Sequence, residues 1–245
     1  SGFEIDADEN TADYSSGILL RNVVGAIAEN TIGNLTLANQ SFGILGHGDS
    51  DLVISGNDVS HFGRGGIVVN GDTLDTGLPK PNAQIAGNTV TKTGSPASAA
   101  NGIQMGYSAT GSIENNIVSG SLWEGDDWAA SCIIIPGASD ISVSGNTIDQ
   151  CELGIAISGY LNWDGDYLPS SNISVSGNTI SNSSQAGISI QGEVTGTSIS
   201  SNTIQDGYIG ISSSDYDPSG WAGGGIPTFT VVEENKIVGN DYPIY

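Results

Sequence analysis

The sequence predicts an all-β fold in one domain, residues 1–245: a solenoid of about eight coils, three short parallel strands per coil, with an asparagine ladder at one corner. Three observations predict it. An asparagine recurs eight times in the same phrase, at Asn30, Asn57, Asn88, Asn116, Asn146, Asn178, Asn202 and Asn235, with Ile or Val three residues before and two residues after each. A second mark, Gly-Ile, recurs between them at Gly17, Gly43, Gly66, Gly102, Gly154, Gly187 and Gly210, with Cys132 and Pro243 taking the glycine slot in two further places. The stretches around both marks alternate with period two and show no helical period.

The shortest full period, Asn178 to Ser201, displays each element in order. Asn-Thr-Ile forms the first strand, Gly-Ile-Ser-Ile the second and Thr-Ser-Ile-Ser the third. Pieces this short, alternating apolar and polar, are strands with one buried face. The corner before each asparagine is tight, and the glycines there (Gly56, Gly87, Gly145, Gly177) supply a positive φ at no steric cost. Coils stack ~4.8 Å apart. An asparagine at the same corner of every coil can therefore bond the asparagines above and below, as side-chain ladders do in other stacked sheets.

The phrase I-x-G-N-T-I followed by G-I-x-I resembles the repeat of right-handed parallel β-helix proteins, the pectate-lyase-like superfold, over roughly residues 17 to 245. The resemblance implies a single-domain right-handed parallel β-helix. It does not choose among the lyases, hydrolases, epimerases, tailspikes, adhesins and ice binders that share the superfold. The Asp-Pro-His-Glu signature of mannuronan epimerases is absent. Gly46-His47-Gly48 and Asp126-Asp127 resemble fragments of polygalacturonases but occur in reversed order, and are read as coincidence.

Composition limits the partners. The formal net charge is −22, with 27 acidic residues against five Lys and Arg. Such a surface repels nucleic acid and anionic membranes, and no apolar run is long enough to span a bilayer. Acidic pairs such as Asp126 and Asp127, Asp164 and Asp166, and Asp215 and Asp217 can each supply part of a calcium shell of six to eight oxygens. Solvated acidic turns explain the same pairs. The two cysteines, Cys132 and Cys151, lie in neighbouring coils. A disulfide there fits an extracellular or cell-surface location; two separate buried thiols fit the spacing equally.

Function is expected where the repeat is broken. After the asparagine strand, the distance to the glycine mark swells from eight or nine residues to 13, 14 and 16 after Asn30, Asn88 and Asn116. After the Gly-Ile strand, the distance to the next asparagine swells from 13–15 to 22, 24 and 25 after Gly66, Gly154 and Gly210. The chain thus has two insertion faces. The second carries Tyr160, Trp163, Asp164, Asp166 and Tyr167, then Glu193 on a short coil, then Asp215, Tyr216, Asp217 and Trp221. This reads as two aromatic walls around a sugar slot of roughly 10 Å, two coil spacings. The first carries acid–base candidates His61, Arg64 and Lys92, with Trp123, Asp126, Asp127 and Trp128 two coils above. By resemblance to uronate lyases, a Lys or Arg base with calcium on the substrate carboxylate is expected.

The expected function is recognition of a polysaccharide, with calcium-assisted lyase or hydrolase chemistry as its catalytic form. The rival is a non-catalytic structural or adhesive β-helix, such as a filament or fibre subunit that stacks end to end through open strand edges or a segment of a larger cell-surface protein.

Overall fold

The computed structural model describes residues 4–6, 14–35, 40–71, 80–94, 98–123, 125, 129–161, 167–215 and 225–245. Every coil runs through three parallel sheets. One typical coil places Ile117–Ser119 in the asparagine sheet, Ser131–Pro136 in the Gly-Ile sheet and Ser139–Ser144 in the third sheet. In each sheet the strands follow one another in chain order, so each coil pairs with the coil before and the coil after it. Among the described residues the asparagine sheet holds nine strands, one more than the asparagine phrases, because Glu4–Asp6 pairs with Thr31–Gly33 without an asparagine in front of it.

Register is exact from coil to coil. Ile113 pairs with Ile85 and Val143, Val118 with Val90 and Ile148, and Ile133 with Ile103 and Ile155. Three apolar columns therefore meet along the axis, and all these residues are fully buried. Each such side chain contributes about 1.5–3 kcal/mol on burial. A slip of one residue would turn a column outward, which fixes the register.

The glycine of the Gly-Ile mark is set by contact. A Cβ on Gly102 would lie 2.4 Å from Val118 Cγ1 and 2.6 Å from the Cys132 carbonyl oxygen. In this coil only hydrogen fits where the Gly-Ile strand begins. Cys132 occupies this slot because its sulfur joins Cys151, with Cα atoms 5.8 Å apart. The disulfide alternative is the one realised.

The ladder is continuous. Asn57 gives both its backbone N–H and its side-chain amide to Oδ1 of Asn88, each at 2.9 Å, and its amide also reaches the carbonyl of Ile27 at 3.0 Å. The same arrangement repeats from Asn88 to Asn235. Each buried Oδ1 thus satisfies two donors that the tight corner leaves without strand partners.

Candidate binding trough

The two insertion faces flank one sheet. Segments inserted after the asparagine strand enter the Gly-Ile strand, and segments inserted after the Gly-Ile strand leave it. Between the two edges of that sheet lies its outer surface, the floor of the candidate trough, and the inserted segments, the first and the second bank, join it at either edge.

The floor alternates with the core. In Asn101–Gly106, Ile103 and Met105 are buried inward, while Asn101 and Gln104 are joined on the outside, Asn101 Nδ2 to Gln104 Oε1 at 3.2 Å. Gln104 Nε2 donates onward to Asn70 Oδ1 at 3.0 Å. Asn70 lies in register with His47, and His47 with Arg21. The row in the first coils thus holds a guanidinium, an imidazole and an amide. Burial and the charge of Arg21 lower the pKa of the His47 imidazole, which leaves it neutral at pH 7.

Arg64 stands at the foot of the first bank and donates from Nη1 to the carbonyl of Ala99. Tyr107 and Tyr160 come from the second bank, with ring centroids 4.5 Å apart and planes tilted by 50°. Their hydroxyls are hydrogen-bonded to each other, and Gln104 bonds Tyr107. Burial pushes both phenols above their ordinary range and pushes the Arg64 guanidinium down. The titratable groups that face Arg64 are these two tyrosines, and among the described residues no carboxylate neutralises it. Arg64 is thus a half-buried guanidinium with no carboxylate beside it among the described residues.

The other expected residues fall as follows. Tyr160 is buried against Tyr107 rather than presented as an open platform. Tyr167 closes a short hairpin, Tyr160–Leu161 with Tyr167–Leu168, and its hydroxyl accepts the backbone N–H of Glu193 at 2.9 Å. A Cβ on Gly225 would lie 2.7 Å from the Cβ of Glu193. Both walls of the expected slot therefore touch its floor residue, Glu193. Asp215 is exposed at the end of its strand, and Trp123 is half-buried. Trp128, Trp163, Tyr216, Trp221, Asp126, Asp127, Asp164, Asp166 and Asp217 lie outside the described residues.

His61, Arg64 and Lys92 divide into two groups. His61 Nδ1 lies 3.0 Å from Thr93 Oγ1. Lys92, next to Thr93, is buried, its ammonium 5.9 Å from the Phe62 ring centroid and bonded to the carbonyls of Thr93 at 2.6 Å and Gly94 at 3.0 Å. Burial lowers its pKa to about 8. Arg64 belongs instead with the tyrosines. The position four residues past each ladder asparagine is a left-handed corner, with φ of 51–55° at Asn34, His61, Gln150, Asn182 and Asp206. Lys92 departs from that row, and Gly94 (φ 75°) takes the positive φ in its coil.

The first bank is clamped. Beside the Cys132–Cys151 disulfide, the buried carboxylate of Glu152 accepts the backbone N–H of Ala130 at 2.5 Å and that of Trp123. Ala129 of this bank packs with outward-facing Leu153, Ala156 and Ala186. The bank thus leans over the entry ends of these strands and leaves Ser158, Gln191 and Ser214, which share one register row, at their exit ends. His47, Gln104, Tyr107 and Glu152 were missed by sequence reasoning. Counting four residues from each glycine mark finds Arg21, His47 and Asn70 on the outward row; nothing local marks Glu152.

A family model described as a right-handed beta helix region matches residues 3–122 and 42–245. No curated protein matches the sequence. Among solved structures, a double mutant of the periplasmic alginate epimerase AlgG is similar with a TM-score of 0.56 and 16% identity, covering 89% of this chain and 50% of that one. A single mutant of the same epimerase gives 0.52 and 13%, covering 92% and 47%. The chain therefore spans about half the length of these structures, and at such identity the likeness is one of fold.

Proposed function

The chain belongs to the right-handed β-helix family, and from that premise we propose that it recognises an acidic polysaccharide along the outer face of the Gly-Ile sheet. The observation that carries the reading is Arg64, a half-buried guanidinium on the trough floor with no carboxylate partner among the described residues. A uronate carboxylate supplies the missing charge in the bidentate geometry that a guanidinium favours. Asn70 and Gln104 offer amides suited to hydroxyls, and the tyrosine pair offers an apolar surface with polar rims. The neighbouring folds include an alginate epimerase, which is consistent with an acidic glycan.

The disulfide favours an oxidising compartment, so an extracellular or surface location is part of the proposal. Among the described residues no helix is long and apolar enough to cross a membrane. Cleavage is the catalytic extension of the same reading. Lys92, with its pKa lowered to about 8, and His61 beside Thr93 are its base candidates at the foot of the first bank. Calcium, held by acidic pairs such as the one containing Asp215, is its expected aid.

The test is incubation with alginate, pectate and neutral glycans, with calcium and with chelator, followed by affinity, ultraviolet absorbance and reducing ends. Binding of acidic chains that is lost in Arg64→Gln supports recognition. Calcium-dependent absorbance adds a lyase, and reducing ends without absorbance add a hydrolase. Equal affinity for neutral and acidic glycans sinks the proposal.

A further inference from the structure

The amides of the floor form a run of hydrogen bonds whose direction is fixed at one end. The backbone N–H of Ser131 can only donate, and it donates to Asn101 Oδ1 at 3.1 Å. Both residues are buried, so this bond is not exchanged for one to water. An amide's oxygen and nitrogen are told apart by their partners. With its oxygen taken, Asn101 turns Nδ2 to Gln104 and meets Oε1 there at 3.2 Å. Gln104 is thereby set with Nε2 towards Asn70, whose Oδ1 accepts it at 3.0 Å. Burial sets the upward shift of the Tyr107 and Tyr160 phenols; within it, the Gln104 bond favours ionised Tyr107, as a donor does. The bond between the phenols disfavours ionisation of Tyr107 and favours that of Tyr160, so Tyr107 donates to Tyr160. Asn70 ends the run and is half-exposed. Its oxygen is engaged by Gln104, which leaves the two N–H groups of Nδ2, and among the described residues no acceptor meets them.

We infer that Asn101 is a positioning residue for the ligand: it sets the direction of the amide run so that Asn70, on the same floor as Arg64, shows donors to the acceptor-only groups of a uronate chain. This rests on the recognition reading above. Asn101 itself is buried and acts through Gln104 and Asn70. A guanidinium has donors and no acceptor, a carboxylate has acceptors and no donor, and a sugar hydroxyl has both. A floor that shows only donors therefore favours the carboxylate. Turned the other way, the same three amides would show Asn70 Oδ1 outward, and an oxygen facing a carboxylate works against the ligand that Arg64 attracts. One backbone N–H, that of Ser131, thus decides which of the two floors is built.

The experiment follows side-chain amide hydrogen exchange by NMR in the isotope-labelled full chain, and affinity for a uronate hexasaccharide by titration calorimetry at low salt in chelator. In the wild type the Gln104 amide should exchange slowly and the Asn70 amide fast. Asn101→Asp keeps an acceptor for Ser131 but puts oxygen where Nδ2 stood. Gln104 and Asn70 should then both turn, the order of exchange should reverse, and uronate affinity should fall about three- to tenfold. Gln104→Met adds no charge, frees Asn70 to turn, and should weaken uronate binding about threefold. Thermal unfolding checks that each variant is folded; Gln104 is half-exposed, so its replacement is the milder one. An Asn70 amide protected in the wild type overturns the inference, as does an order of exchange unmoved by Asn101→Asp. Weakening by Asn101→Asp with none by Gln104→Met assigns the loss to the added charge and overturns it too. Each of these outcomes leaves the recognition reading in place when Arg64→Gln still weakens uronate binding. Uronate affinity unaffected by Arg64→Gln removes the reading and the inference together.

Discussion

Asn116 donates its backbone N–H and its side-chain amide to the single Oδ1 of Asn146, at 2.9 and 3.0 Å, and its own Oδ1 receives the same two bonds from Asn88. Each rung is therefore bonded to the rungs on both sides, and both residues are 1% exposed. Replacing Asn116 by Ala leaves the buried backbone N–H of Asn88 without an acceptor, while its side-chain amide keeps the carbonyls of Ile54 and Ala86. At about 1–3 kcal/mol for an orphaned donor, the variant should lose about that much. Chemical denaturation of the variant checks this, and a loss below 1 kcal/mol would show that water replaces the rung.

Lys92 yields a prediction in pH. Its pKa in the fold is about 8, below the ordinary lysine value of about 10.4. Below pH 8 the residue is charged whether folded or unfolded, and burial of the charge opposes folding. Between about 8 and 10 the unfolded chain holds the proton more tightly, so stability contributed by this residue rises with pH. The stability of wild type minus that of Lys92→Met should be flat from pH 6 to 7 and climb from 8 to 10. Thermal unfolding of both proteins across this range checks it, and a flat difference throughout would remove the lowered pKa.

The bank clamp predicts a redox dependence. Cys132 and Cys151 enclose a loop with a separation of 19 residues. Closing a loop of this size contributes about 3 kcal/mol through the unfolded chain. Cys132→Ala with Cys151→Ala should lose about that much. The Glu152 carboxylate should then still hold the bank through the Ala130 and Trp123 N–H groups, and protection of the Ala130 amide against hydrogen exchange should fall further in the double variant combined with Glu152→Ala. Unchanged exchange at Ala130 would assign the bank's order to packing alone.

Fold and site were legible to different degrees for a physical reason. The core columns and the ladder repeat in every coil, so Ile85, Ile113 and Val143, or Asn88, Asn116 and Asn146, announce themselves by spacing alone. The floor has no such repetition, because its residues differ from coil to coil. Arg21, His47 and Asn70 stand in one row, yet they share neither chemistry nor a motif. The two insertion faces were legible as lengths, but their convergence on one sheet follows only from the order of the three strands within a coil. Arg64 and Lys92 are close in the repeat, and the long side chains part company: one lies towards Ala99 and the tyrosines, the other over Phe62. Glu152 carries no sequence signal, since its role is given by two backbone N–H groups in the previous coil.

The last prediction separates charge from geometry at Arg64. The guanidinium is held by the Ala99 carbonyl and lies within the field of Tyr107 and Tyr160. Lysine at this position keeps the positive charge but loses the planar fork that pairs with a carboxylate. If the site reads a uronate by two parallel hydrogen bonds, Arg64→Lys should weaken binding of an acidic oligosaccharide by about tenfold, equal to about 1.4 kcal/mol, and Arg64→Gln by more. If the residue acts only as a point charge, Arg64→Lys should bind like wild type and show the same salt dependence. Affinity measured for both variants at two ionic strengths decides between these, with thermal unfolding confirming that each variant is folded. The tyrosines supply an internal check: Tyr107→Phe removes the hydroxyl bonded to Tyr160 and Gln104 and keeps the ring. A loss in Tyr107→Phe comparable to that in Arg64→Lys would mean that the hydroxyl network positions the guanidinium, and wild-type affinity there would assign the recognition to the guanidinium itself.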